Sequence, residues 1–241
     1  MARKLGNVVV LGANGAMGSG SGAVFAAAGI RTVFLARTRD KAEAGRQRAE
    51  SMVKSTAISR FIETGGYDEL EARVAEADLV FEAVAEDLAV KREVFARVDQ
   101  ARKPDAIVAT VSSGLSIAAM CAAQSASFQA HFLGIHFFNP PNVIVGCELI
   151  AHAGTDPAVV AFVRELPAGP LGREVVETTD TPAFAGNRVG FKVLNEVAQL
   201  AEEHGVVFMD ALVGPHTGRA MAPLVTVDFV GWDVHKAIVD N

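Results

Sequence analysis

The chain has 241 residues and a formal net charge of −6, with 50% hydrophobic and 21% charged residues. That balance excludes a disordered chain and argues against a general nucleic-acid binder, which would be basic. No apolar run approaches the roughly 20 residues of a spanning helix, so no membrane partner is expected.

The basic start Met1-Ala2-Arg3-Lys4 leads into a short apolar run that opens into glycines, unlike a secretory signal; the expectation is a cytoplasmic protein. Cys121 and Cys147 have neither disulfide nor metal-ligand spacing. They read as free thiols in a reducing compartment, with no metal site.

Asn7 to Leu11 reads as a buried parallel strand, short, β-branched and bounded by polar and glycine residues. The turn Gly12-Ala13-Asn14-Gly15-Ala16-Met17-Gly18 follows, then a small-residue helix over Ser19 to Gly29 and a second strand over Arg31 to Ala36. A glycine-rich first turn in a βαβ unit lets backbone N–H groups approach a pyrophosphate at a helix N-terminus. Gly12, Gly15, Ala16, Met17 and Gly18 are therefore the candidate contacts of a dinucleotide.

The glycine spacing departs from G-x-G-x-x-G, the first glycine standing one residue early. At the end of the second strand, where an acid usually holds the adenosine ribose, stands Arg37. An arginine there could meet a 2′-phosphate and favour NADP; it could equally be solvated, with NAD bound.

Arg39 to about Arg60 reads as a helix that is locally basic at Arg46, Arg48, Lys54 and Arg60, either a solvated face or a surface for an anionic substrate tail. Residues 61–77 contain a Gly65-Gly66 break and a short acidic helix. Ala77 to Val84 is a strand, Leu88 to Ala101 a helix, and Ala106 to Val111 the next strand. Ser112-Ser113-Gly114-Leu115-Ser116 is a hydroxyl-rich turn capping a helix to about Ala123. With parallel strands, Ser113 lies at a carboxyl end, where ligands sit in open α/β sheets.

Phe132 to Ile150 begins as a buried strand, delivers His136 into the turn Phe137-Phe138-Asn139-Pro140-Pro141, and brings Glu148 back in a second apolar run. A histidine at a strand end with a returning carboxylate makes an oriented base; a core histidine beside a strand-edge glutamate is the plainer alternative.

Thr178 to Pro182 carries a helix-start signal, and a helix over Ala183 to Glu203 repeats Val189, Val193, Val197 and Leu200 at helical spacing, with Asn187 in its first turns. A helix from about Met209 and a final one through Phe229 to Val239 follow, with Trp232 as a core anchor. His152, His204, His216 and His235 show no ligand spacing and read as structural or exposed.

The segments AEADLVFEAVAEDLAVKREVF, SSGLSI, HFLGIHFFNPP and DTPAFAGNRVG, in this order and spacing, resemble the L-3-hydroxyacyl-CoA dehydrogenase family over essentially the whole chain. The SSGLSI and HFFNPP variants are similar to dehydrogenases fused to an enoyl-CoA hydratase. The resemblance implies an α/β fold: a Rossmann-type doubly wound sheet over residues 1–180, then a smaller all-helical domain over residues 181–241, with the active site between them.

It further implies oxidation of (S)-3-hydroxyacyl-CoA to 3-oxoacyl-CoA with a nicotinamide cofactor, as in fatty-acid β-oxidation. His136 matches the catalytic base and Glu148 its orienting acid. Ser113 and Asn187 match the polar residues around the reacting oxygen, and Glu86 and Lys91 match positions beside the cofactor. A dehydrogenase of a small 3-hydroxy acid without CoA, and an inactive cofactor-binding homologue, are the alternatives.

Three departures stand out: Arg37, Val111 before the serine turn, and Val145-Gly146-Cys147, which suggests a looser strand before Glu148. The chain stops at Asn241, where the family continues into further helices, so the expectation is a truncated second domain and a homodimer if those helices are present.

Overall fold

The computed structural model describes residues 5–239. The chain divides into two compact units, residues 1–180 and 181–241.

The first unit alternates strand and helix: β1 (Asn7–Leu11), α1 (Ala16–Ala27), β2 (Arg31–Ala36), α2 (Arg39–Val53), β3 (Ile62–Gly66), α3 (Leu70–Val74), β4 (Leu79–Glu82), α4 (Leu88–Ala101) and β5 (Ile107–Thr110). It continues through α5 (Ile117–Cys121), α6 (Ala126–Ala130), β6 (Phe132–Phe137), β7 (Gly146–Ala151), α7 (Pro157–Ala168) and β8 (Glu174–Thr179). The eight strands form one sheet in the order β3-β2-β1-β4-β5-β6-β7-β8. After β3 the chain crosses back to place β4 on the other side of β1, and this reversal opens a crevice at the carboxyl ends of β1 and β4.

Among the described residues, β6 with β7 is the one antiparallel pairing, with His136 directly opposite Glu148. The central strands are buried on both faces, which is why they read as unbroken apolar runs. Phe25, Phe81 and Phe137 cluster in one core, their ring centroids 5.3–6.4 Å apart. Phe95, Phe128 and Phe132 form a second aromatic cluster. Helix α1 needs its small residues because it lies against β2: a Cβ on Gly22 would stand 2.2 Å from the Phe34 ring.

Several sequence expectations change. Helix α2 stops at Val53, because Lys54 adopts a left-handed conformation (φ 53°) and a short 3-10 segment follows over Thr56–Phe61. The segment read as a glycine break contains β3, which pairs with β2 through Thr32 opposite Ile62. Helices α6 and α7 and strand β8 were not anticipated. The C-terminal helix begins at Gly186 rather than Ala183, and within the turn before it the Asp180 carboxylate accepts from Ser116 Oγ and the N–H groups of Ile117 and Ala118, capping α5. The strand holding Glu148 is regular, paired on both sides by β6 and β8.

The second unit is helical: α8 (Gly186–His204), α9 (Val206–Leu212), a 3-10 turn at Pro215–Thr217, α10 (Pro223–Val230) and α11 (Trp232–Val239). Val197, Met209 and Leu224 form its small core. Asp210 accepts the Leu224 N–H at 2.8 Å and fixes the start of α10. Gly231, at φ 106°, divides α10 from α11 where one helix was expected. Trp232 is half exposed, so it is no core anchor; its indole donates to Asp228 one turn earlier. Val189 and Leu200 are likewise exposed.

Among the described residues, no helix is long and apolar enough to cross a membrane.

Candidate active site

The site begins with the sheet register. Antiparallel pairing sets His136 and Glu148 opposite each other on one face, and both side chains are buried. His136 Nδ1 lies 2.6 Å from Glu148 Oε2, and the other ring nitrogen, Nε2, lies 3.0 Å from Ser113 Oγ. A carboxylate only accepts, so the proton sits on Nδ1 and the Nε2 lone pair faces Ser113, whose hydroxyl donates to it. The Phe138 ring, its centroid 4.8 Å from the imidazole centroid, closes one side. The arrangement is a tautomer-locked base with its Nε2 lone pair turned toward an exposed serine.

Ser113 is held in turn by Glu86. Its carboxylate accepts Ser112 Oγ and the N–H groups of Ser113 (3.0 Å) and Gly114 (3.1 Å). Burial pushes the Glu86 carboxyl up, but the Ser112 hydroxyl, the Lys91 charge and the two N–H groups outweigh it and hold Glu86 below the usual carboxylate range.

Lys91 does not project into open space. It is buried at 1% exposure, with Nζ 2.7 and 2.9 Å from the two oxygens of Glu82 and 3.4 Å from Glu86. Thr110 donates to Glu82 at 2.6 Å, and Val84 N–H also donates to it at 2.6 Å. The sequence reading missed Glu82 and Thr110. The signal was available: an acid inside the apolar strand LVFEAV requires a buried counter-charge, and Lys91 one turn into the next helix supplies it.

The glycine turn lies at the β1/β4 crevice. Gly12 takes φ 76°, and a Cβ there would stand 2.3 Å from the Ala83 carbonyl oxygen. On Gly18 it would stand 2.3 Å from the Gly12 oxygen. Helix α1 opens at Ala16 with Gly15 as N-cap and no capping side chain, so the first-turn N–H groups of Ala16, Met17 and Gly18 face outward as an anion cradle. These features fit a dinucleotide pyrophosphate. Arg37 follows β2 and is exposed.

Asn187 belongs to the second unit, in the first turn of α8, just after Ala183 and Phe184 with φ of 61° and 49°. In the basic segment, Arg46 is paired with Glu43 and Glu50, so it offers no free charge, while Arg48 and Lys54 form no ion pair among the described residues.

Comparison with known proteins agrees with this geometry. Residues 7–181 match the 3-hydroxyacyl-CoA dehydrogenase NAD binding domain, and residues 184–241 match the C-terminal domain of the same family. A probable 3-hydroxyacyl-CoA dehydrogenase of Bacillus subtilis is 33% identical across the whole chain, which spans only 34% of that relative's length. A 3-hydroxybutyryl-CoA dehydrogenase of Bradyrhizobium diazoefficiens is 34% identical over 99% of the chain and 84% of the relative. The crystal structure of Mycobacterium tuberculosis FadB2 superposes with a TM-score of 0.86 at 30% identity, covering 100% of this chain and 87% of that one. With the doubly wound sheet, the glycine cradle and the matches to both domains, the chain belongs to the 3-hydroxyacyl-CoA dehydrogenase family.

Proposed function

We propose that the chain interconverts (S)-3-hydroxyacyl-CoA and 3-oxoacyl-CoA with a nicotinamide dinucleotide. The observation that carries this reading is the Glu148–His136–Ser113 relay, with contacts of 2.6 and 3.0 Å on either side of one imidazole.

In the oxidative direction His136 Nε2 takes the proton of the substrate's 3-hydroxyl, and Glu148 stabilises the imidazolium that forms. In the reductive direction the same nitrogen returns that proton. Ser113 donates a hydrogen bond to the oxygen as charge develops on it. A bound nicotinamide would supply the hydride acceptor that this oxidation needs. Gly12, Gly15, Ala16, Met17 and Gly18 would hold its pyrophosphate, and Glu86, kept ionised with Lys91 beside it, would line the wall next to it. The C-terminus of α2 is tied to the loop after His136 by Asn142 Nδ2 donating to Met52 O at 2.9 Å. Lys54 next to it is the favoured contact for the anionic end of CoA.

Assembly as a homodimer is part of the proposal; the exposed Val207, Phe208 and Phe229 on the second unit support it. So is fusion to an enoyl-CoA hydratase.

The test is His136→Ala with acetoacetyl-CoA, following loss of nicotinamide absorbance. Turnover should fall by about 1000-fold or more while cofactor affinity stays within about threefold. Unchanged turnover would overturn the mechanism. Free 3-hydroxy acids run beside their CoA thioesters separate the two substrate classes.

A further inference from the structure

The end of β2 governs which dinucleotide the glycine cradle prefers. Strand and cradle are physically joined there: Ala13 N–H donates to Leu35 O at 3.1 Å, and Arg37 stands two residues further on. The half-buried Tyr67 phenol senses both, since burial pushes its pKa up while the Gly12 backbone and the Arg37 charge draw it back.

The neighbouring cations are spoken for. Arg31 pairs with Glu63, and Arg39 with Glu69 and the Thr64 carbonyl. Arg73 bridges both glutamates. The network therefore occupies Glu63 and Glu69 and leaves Arg37 out. Arg37 forms no ion pair or hydrogen bond with a described residue, and it is exposed. Asp40 and Asp68 are also exposed, and neither pairs with it.

Two further positive features converge on the same place. Helix α2 begins at Arg39, two residues beyond Arg37, and the positive end of its dipole lies there. Lys41, exposed and without an ion pair among the described residues, follows within the first turn.

A ribose 2′-hydroxyl held for NAD needs an acceptor at this position. A guanidinium has none, but its paired N–H donors match a phosphate. We infer that this chain selects NADP(H) over NAD(H), with Arg37 and Lys41 at the α2 N-terminus binding the 2′-phosphate of the adenosine ribose. The inference rests on the dinucleotide-binding reading above and departs from the NAD binding printed for the matched family domain.

The test is direct binding to the full chain, by calorimetry, of NADPH, NADH, 2′,5′-ADP and 5′-AMP at low and high salt. NADPH should bind about 10-fold or more tightly than NADH, and 2′,5′-ADP should exceed 5′-AMP likewise. Both gaps should narrow as salt screens the exposed charges. Arg37→Ala should weaken NADPH to the level of NADH while leaving NADH within about threefold, and Arg37→Asp should reverse the order. Equal or tighter NADH binding in the unaltered chain, or an unchanged ratio in Arg37→Ala, overturns the inference alone. Absence of binding by all four compounds overturns the dinucleotide-binding reading with it.

Discussion

Replacing Lys91 with Met tests the hidden support of the site. The substitution keeps the volume and removes the ammonium that contacts both oxygens of Glu82 at 2.7 and 2.9 Å. Glu82 is fully buried, so the variant strands a carboxylate with only the Val84 N–H and the Thr110 hydroxyl as partners. Breaking one side of a buried pair costs about 3–5 kcal/mol, against a total stability of about 5–15 kcal/mol. With a urea slope near 3 kcal/mol per molar, the midpoint should drop by roughly 1–1.7 M.

Glu82→Gln in the same chain should recover much of the loss, because it removes the stranded buried charge.

Far-UV circular dichroism in urea reads the transition. Trp232, the single tryptophan and a member of the second unit, provides a separate fluorescence signal for that unit. A loss below about 1 kcal/mol, the scale of an exposed ion pair, would refute the reasoning.

Two other outcomes follow from local geometry. Gly12→Ala forces a Cβ to 2.3 Å from the Ala83 oxygen at φ 76°, so it should lower the melting temperature by several degrees, whereas Gly15→Ala, with its nearest neighbour at 3.5 Å, should not; equal melting of the two variants in a thermal scan would contradict the packing. Burial pushes the Cys121 thiol up to about 11 and the Cys147 thiol up to about 12, so neither should react with a disulfide reagent at pH 8 in the folded chain, and both should react in denaturant; rapid labelling of the folded chain would show a thiol to be accessible.

What could be read from the sequence divides along physical lines. Strands buried on both faces were legible: Asn7 to Leu11 and Arg31 to Ala36 carry apolar runs, Val8 to Leu11 and Val33 to Ala36, that are buried throughout. Helix α4 was legible over Leu88 to Ala101, and Asp87 caps it by accepting from the Ala89 and Val90 N–H groups. Strands β3 and β8 were not, because ETGG and EVVETT lie at the two sheet edges, where exposure relaxes the apolar requirement. The end of α2 was hidden because Lys54 takes a left-handed conformation without a glycine to announce it.

At the candidate site, His136, Glu148 and Ser113 were readable as chemistry-bearing residues at strand ends, and the fold brings their side chains together. The Glu82–Lys91–Thr110 cluster spans three separate segments. Its partners meet only once β4 and β5 pair and α4 folds back, so no local pattern displays it whole.

The antiparallel pairing of β6 and β7 has an evolutionary consequence. Because opposed strands fix His136 against Glu148 by register, the loop that joins them, residues 138–145, carries none of the alignment. Apart from Phe138, which closes one side of the imidazole, and Asn142, which ties the loop to α2, its side chains are free to drift so long as the strand ends hold. The exposed Val143 and Val145 lie on this adjustable segment. A lineage can therefore retune what it accepts next to a fixed proton-transfer pair by editing one loop, without reopening the sheet that the chemistry depends on.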